Sequence, residues 1–186
     1  MKRIMKLVLG LLLVGSMVFG TTESAQVIIT TSVGETTANS GIKVVESFTP
    51  STPAAFDATF FSAGSVVALA SGKDTSVEAA SGEFVVMVRR PVDTPATVYI
   101  SGTTMALTGG VGTVPTIPYQ ILDTKDTSIV YIDNTGTGTV TNSYTVTPDD
   151  DSILRDAKAF TYNIPVSALA PLGTYSATIT FSLTVE

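Results

Sequence analysis

The sequence predicts an all-β chain folded as one antiparallel sandwich or barrel, and three observations lead there. Thr, Val, Ser, Ala and Gly dominate while Lys, Arg, Glu and Leu are sparse, a composition that suits pleated strands and serves helices poorly. Gly and Pro punctuate the chain at short, regular intervals. The last segment alternates without error: Tyr175, Ala177, Ile179, Phe181, Leu183 and Val185 form one row, and Thr174, Ser176, Thr178, Thr180, Ser182 and Thr184 the other. Side chains of an extended chain change face at every residue, so this is a half-buried strand with an apolar face for a core and a hydroxyl face for water or a partner.

Residues 1–20 read as a signal peptide. Lys2, Arg3 and Lys6 begin it, and an apolar run over 7–19 follows, broken only by Gly10, Gly15 and Ser16. That run falls short of the ~20 residues a spanning helix needs, and no later stretch is longer and apolar, so no membrane insertion of the mature chain is expected. Cleavage is expected after Gly20, or as late as Ala25. Residues 21–26 would form a short leader and 27–186 the folded domain. Export places the product in the periplasm, at the cell surface or in the medium.

After removal of the three basic leader residues, 7 Lys+Arg face 16 Asp+Glu, a net charge of −9. Such a surface without basic clusters argues against nucleic acid and anionic lipid as partners. The chain has no Cys, so neither disulfides nor a lipid-modified Cys can hold it.

Strands are expected at 27–33, 42–48, 56–61, 66–70, 76–80, 83–89, 96–101, 117–122, 128–132, 139–147, 159–164 and 174–185, each bounded by Gly, Pro or Asn. Single helical turns are the only helix expected, at 149–158, where an Asp can cap Ile153 and Leu154, and at 166–169. No internal repeat and no long linker divides the chain.

Chemistry is constrained as much by absence. With no His and no Cys, the common Ser-His and Cys-His nucleophiles and ordinary structural zinc sites are ruled out. Ser71-Gly72-Lys73 echoes the end of a phosphate loop, but Val67 stands where its first Gly belongs. Ser40 and Lys43 have an acyl-transfer spacing, yet that chemistry needs a helical turn and this segment reads as strand. The expectation is a non-catalytic protein without cofactors. Asp149, Asp150 and Asp151 could offer oxygens to Ca²⁺, against the simpler reading of a solvated turn; Asp123, Asp126 and Asp133 form a second acidic stretch. Arg89 and Arg90 end the strand EFVVMVRR, where they would keep a strand end soluble or meet an acidic partner. Tyr99, Tyr119, Tyr131, Tyr144 and Tyr162 each fall in a strand, as half-buried core material or as a glycan-stacking surface.

The ending AFTYNIPVSALAPLGTYSATITFSLTV resembles that of chaperone-usher pilus subunits and of the related spore-coat-U-like secreted proteins. The matching pieces are Phe160, Tyr162 and Ile164, then Leu169, Gly173, Thr174 and Tyr175, then the alternating row; PATVYISG at 95–102 looks like a mid-domain strand of the same sandwiches. The resemblance implies an immunoglobulin-like sandwich completed by strand addition, in which the N-terminal extension of one subunit fills a groove beside the final strand of another. The donor would be 27–33, through Val27, Ile29, Thr31 and Val33. Tyr175, Ala177, Ile179, Phe181, Leu183 and Val185 would line the acceptor groove. Partners would be copies of the chain or related subunits, and a periplasmic chaperone. The disulfide that many such subunits carry is impossible here. A donor strand that pairs inside its own domain, in a self-contained module binding glycan or cell-wall polymer, is the alternative.

Overall fold

A computed structural model describes residues 25–33, 41–49, 51–64, 67–70, 72–90, 95–135, 138–147 and 153–185, with 25–33 and 185 described through their backbone. The leader 1–20 and the acidic run Asp149, Asp150 and Asp151 lie outside the described residues, as do Ser40 and Ser71.

Among the described residues, thirteen strands form two sheets. The larger takes β1 (Ala25–Val33), β3 (Val67–Ala68), β4 (Lys73–Asp74), β6 (Ala96–Gly102), β7 (Met105–Leu107), β8 (Thr116–Ile117), β11 (Val140–Val146) and β13 (Gly173–Val185), in the order β11-β6-β13-β1-β3. There β4 also pairs with β1, β7 with β13, and β8 with β7. The smaller sheet runs β10-β9-β12-β5-β2, from β2 (Gly41–Val45), β5 (Ala80–Arg90), β9 (Tyr119–Asp123), β10 (Val130–Asn134) and β12 (Leu154–Ile164). All pairings are antiparallel except β1 with β13. The all-β, two-sheet expectation therefore holds.

The sheets bury a common core. Val98, Ile100, Tyr175, Ala177, Ile179 and Phe181 of the larger sheet meet Phe84, Val86, Val88, Ile121, Phe160 and Tyr162 of the smaller one. Phe84 and Phe160 stack at 5.5 Å between ring centroids, and Phe181 meets both edge-on or tilted at 6.0 and 5.9 Å. Offset and edge arrangements of this kind are the ones ring quadrupoles favour.

One segment departs from the expected strands. Pro53–Ser62 is an α-helix, α1, and not a strand over 56–61. The cause is local: Thr52 Oγ1 accepts a hydrogen bond from Ala55 N at 3.2 Å, and Pro53 follows at the first helical position, where its missing N–H costs nothing. Phe56 and Phe60, four apart, then share a face and are both buried.

That face lies on the outer side of the smaller sheet, against Val85 and Met87 of β5, with Val45, Ala157 and Ala159 alongside. The unbroken apolar run Phe84 to Val88 follows from this. Its even-numbered residues enter the sandwich core while Val85 and Met87 meet the helix, so β5 is covered on both faces. Small Ala157 and Ala159 on β12 leave room for the two rings.

Three further expectations are corrected. Residues 154–158 extend β12 and do not end a helical turn begun at 149, because their amides pair with β5, Leu154 opposite Arg90 and Lys158 opposite Val86. Residues 76–79 form turns rather than a strand, held by Asp74, whose Oδ1 accepts from Ser76 N at 3.0 Å and Oγ at 2.6 Å. In place of a helical turn at 166–169 the backbone makes a β-turn over 167–170, with Ala170 N donating to Ser167 O at 2.8 Å.

Candidate functional site

The Gly-Thr-Tyr entry to β13 has a mechanical basis. Gly173 takes φ 144°, a conformation that side chains disfavour, and a Cβ there would lie 2.5 Å from Leu107 Cδ1. Tyr175 is fully buried, and its hydroxyl donates back to Pro171 O at 2.9 Å, fixing the turn to the strand. From there the apolar row runs inward. Tyr175, Ala177, Ile179 and Phe181 are buried and Leu183 packs against the core; the side chain of Val185 lies outside the described residues. Thr174, Ser176, Thr178, Thr180, Ser182 and Thr184 are exposed or half-buried.

Both edges of β13 are occupied within the one chain. On one side Ile179 to Val185 pair antiparallel with Gly102 to Ala96 of β6. On the other, Gly173 to Phe181 pair in parallel with Ala25 to Val33 of β1. This register sets the four expected donor positions opposite the buried row: Val27 opposite Tyr175, Ile29 opposite Ala177, Thr31 opposite Ile179 and Val33 opposite Phe181. Among the described residues, the two-residue β3 and β4 lie beyond β1.

Two charged sites sit on opposite faces of β12. On the outer face, Asp57 of α1 receives Arg89 Nε at 2.8 Å on Oδ1, Arg155 Nε at 3.0 Å on the same oxygen, and Arg155 Nη2 at 2.9 Å on Oδ2. Arg155 contributes most to lowering the Asp57 carboxyl from 3.8 to about 2, partly opposed by burial and helped by Arg89. Arg89 also lies 4.9 Å from the Phe61 ring centre. Arg89 and Arg90 are therefore not a solubilising strand end: both are buried, at 8% and 7% exposure. The helix covers Arg89, and its Asp57 supplies that arginine with a counter-charge, whereas Arg90 lies on the alternate face of β5.

On the inner face the core-facing row of β12 contains Asp156 and Lys158 between Leu154 and Phe160. Asp123 ends the matching inward row of β9 after Tyr119 and Ile121. Lys158 Nζ lies 2.5 Å from Asp123 Oδ2, and the rings of Tyr144, Tyr131 and Phe160 stand 5.4, 5.5 and 5.9 Å from Nζ. Asp123 Oδ1 meanwhile accepts from Lys125 N at 2.8 Å and Asp126 N at 3.4 Å. Burial pushes the Asp123 carboxyl up, but bonds from Lys158 and the Lys125 amide outweigh it and the net shift is downward. Burial likewise pulls Lys158 down, and Asp123 and Tyr131 more than restore it. A cavity of about 180 Å³ opens here, lined by Asp123, Lys125, Tyr144, Asp156 and Lys158 among others.

The remaining sequence candidates serve the fold. Asp126 closes a turn by accepting from Ser128 N at 3.0 Å and Oγ at 2.6 Å, and Asp133 accepts from Gln120 Nε2 at 3.2 Å. No group of three or more acidic side chains among the described residues is placed to hold a metal ion. Tyr119, Tyr131 and Tyr162 are buried and Tyr144 packs on the core, whereas Tyr99 is 47% exposed. Sequence reasoning missed Asp57 as the counter-ion and the Lys158–Asp123 pair, although an Asp and a Lys in otherwise apolar alternating rows were the signal for the second.

The fold and these sites define a two-sheet, all-β protein whose final strand is flanked by its first. No family model and no curated protein matches the chain. Among solved structures, the Yeast delta-COP-I mu-homology domain aligns with 86% of this chain and 96% of its own at 11% identity, with a TM-score of 0.21, too low to carry an argument.

Proposed function

We propose that this chain is an exported, non-catalytic structural or surface protein, immunoglobulin-like in the broad sense, which assembles with copies of itself or related chains by exchanging its N-terminal strand. The observation that carries the reading is the β1–β13 seam. The first described strand runs in unbroken register along nine residues of the last, and among the described residues two-residue strands pair on its far side. Backbone pairing does not depend on which molecule supplies the strand, so the register that closes one chain can join two. The seven residues 34–40 between β1 and β2 reach at most about 25 Å, so exchange needs a close neighbour. A periplasmic chaperone would hold the seat until a partner arrives.

Removing residues 21–34 from the mature protein tests this. The truncated domain should lose self-assembly and bind a peptide of residues 25–34 with saturation, regaining thermal stability as it does. A truncated domain as stable as the full-length one and indifferent to the peptide would sink the proposal.

The occupied seat itself favours a second reading, a self-contained secreted module that binds glycan or cell-wall polymer. Saturable binding on a glycan array by protein that stays monomeric at every concentration would select it over exchange.

A further inference from the structure

We propose that Lys158 and Asp123 join through their side chains in an amide bond, an isopeptide cross-link tying β12 to β9. The two residues lie 35 apart in sequence, yet Nζ and Oδ2 are 2.5 Å apart. Both occupy inward rows, where charge is costly. Three aromatic rings stand within 6 Å of the amine, and the Asp123 side chain is only 8% exposed. The fold thus holds an amine against a carboxyl group in a partly buried setting, with the Lys158 side chain 25% exposed, which replaces an unfavourable bimolecular encounter with one fixed in place.

The reaction balances without any outside reagent. One ammonium proton of Lys158 passes to the Asp123 carboxylate across the short contact, leaving a neutral amine and a neutral acid. The nitrogen lone pair attacks Cγ, the Nζ–Cγ bond forms, the Cγ–OH bond breaks, and a second nitrogen proton leaves with the hydroxyl as water. Asp156, two residues along the same face of β12 and lining the same cavity, is the carboxylate placed to carry protons between nitrogen and the departing oxygen. Burial opposes both charges while the contact itself favours the ion pair, so attack draws on the neutral pair that proton transfer along the contact forms, and the product removes two charges from the core. The buried Tyr144 hydroxyl, which has no hydrogen-bond partner, borders the same cavity and remains available as a donor to the new carbonyl. A chain without cysteine would gain by this route the covalent tie that a disulfide gives other exported domains.

Intact-mass measurement on folded, denatured-for-analysis protein after prolonged incubation decides the matter, and needs no variant to fold. The natural chain should be lighter than its residues require by one water, and tryptic digestion should give a branched peptide joining Asp123 to Lys158. Asp123→Ala and Lys158→Arg share the leader and its cleavage, so each should show full mass for the same N-terminus and no branched peptide. A natural chain at full mass overturns the proposal. So does a missing water located elsewhere, as a cyclised aspartate in a linear peptide or a branch at Lys125.

Discussion

The two sides of β13 are built to different standards. Toward β6, the strand joins a neighbour from the middle of the chain that is itself paired with β11. Both of those neighbours are antiparallel, and the inward residues Val98 and Ile100 are wholly buried. Toward β1, it joins a parallel strand, the first described, and two-residue strands follow among the described residues. The β6 seam is continuous with the buried core, and opening it is expected to unfold the domain. The other joins β13 to the first described strand, whose far side meets the short β3 and β4, and parallel pairing is slightly weaker per residue. The proposed exchange requires that the core persist when the β1 seam opens.

The largest expected effect comes from placing the same lesion on both sides. Proline removes a ladder donor and constrains φ, which is why it is excluded from central strands. Tyr99→Pro in β6 should abolish cooperative folding, read as loss of the thermal unfolding transition. Ile29→Pro in β1 should leave a folded core with a lower melting temperature, and with amides of 173–181 exchanging faster in hydrogen-exchange experiments. If both variants unfold alike, the seams are equivalent and the comparison fails.

A second prediction sharpens it by moving to the opposite sheet. Asp57 has its folded pKa lowered from 3.8 to about 2, so its ion pairs stabilise the native state fully above the unfolded value. That contribution is lost as pH falls from about 4 toward 2, and linkage sets it at about 2 kcal/mol. Denaturant unfolding across this window should show the loss in the natural protein and a flatter profile in Asp57→Asn. Exchange of β1 amides should be unaffected, since α1 and its arginines lie on the far face of the smaller sheet.

The smallest expected effect is at the cap of that helix. Thr52→Ala removes the acceptor for Ala55 N and should cost about 1 kcal/mol in the same unfolding assay, again without changing the β1 seam.

Much of this architecture was legible in residue order, for reasons that differ by element. The β13 row could be read because one face meets a core and the other meets water, so burial wrote itself as period two. β5 could be read as a strand from its apolar run, though not why that run is unbroken, since the second covering layer is a helix 20 or more residues upstream. The helix was obscured by its aromatics: Phe56, Phe60 and Phe61 suit strands as well, and the deciding signals were Thr52 and Pro53 just before them. The charged sites were the least legible. Arg89 looks like a strand end until Asp57 is brought to it across 32 residues, and Lys158 looks solvated until β9 carries Asp123 to its side. Alternation announces which face is inward, but only tertiary pairing shows what shares that face.

The register of the first strand against the last is the claim on which the rest turns, and the absence of native cysteine allows it to be read covalently. Thr30 and Thr178 stand opposite each other in the seam. In Thr30→Cys/Thr178→Cys, oxidation of dilute isolated protein should give a closed monomer on a non-reducing gel. Oxidation after refolding at high concentration should give a ladder of cross-linked copies, the same bond now made between molecules. Closed monomer alone at every concentration would contradict exchange, and no bond under either condition would contradict the seam itself.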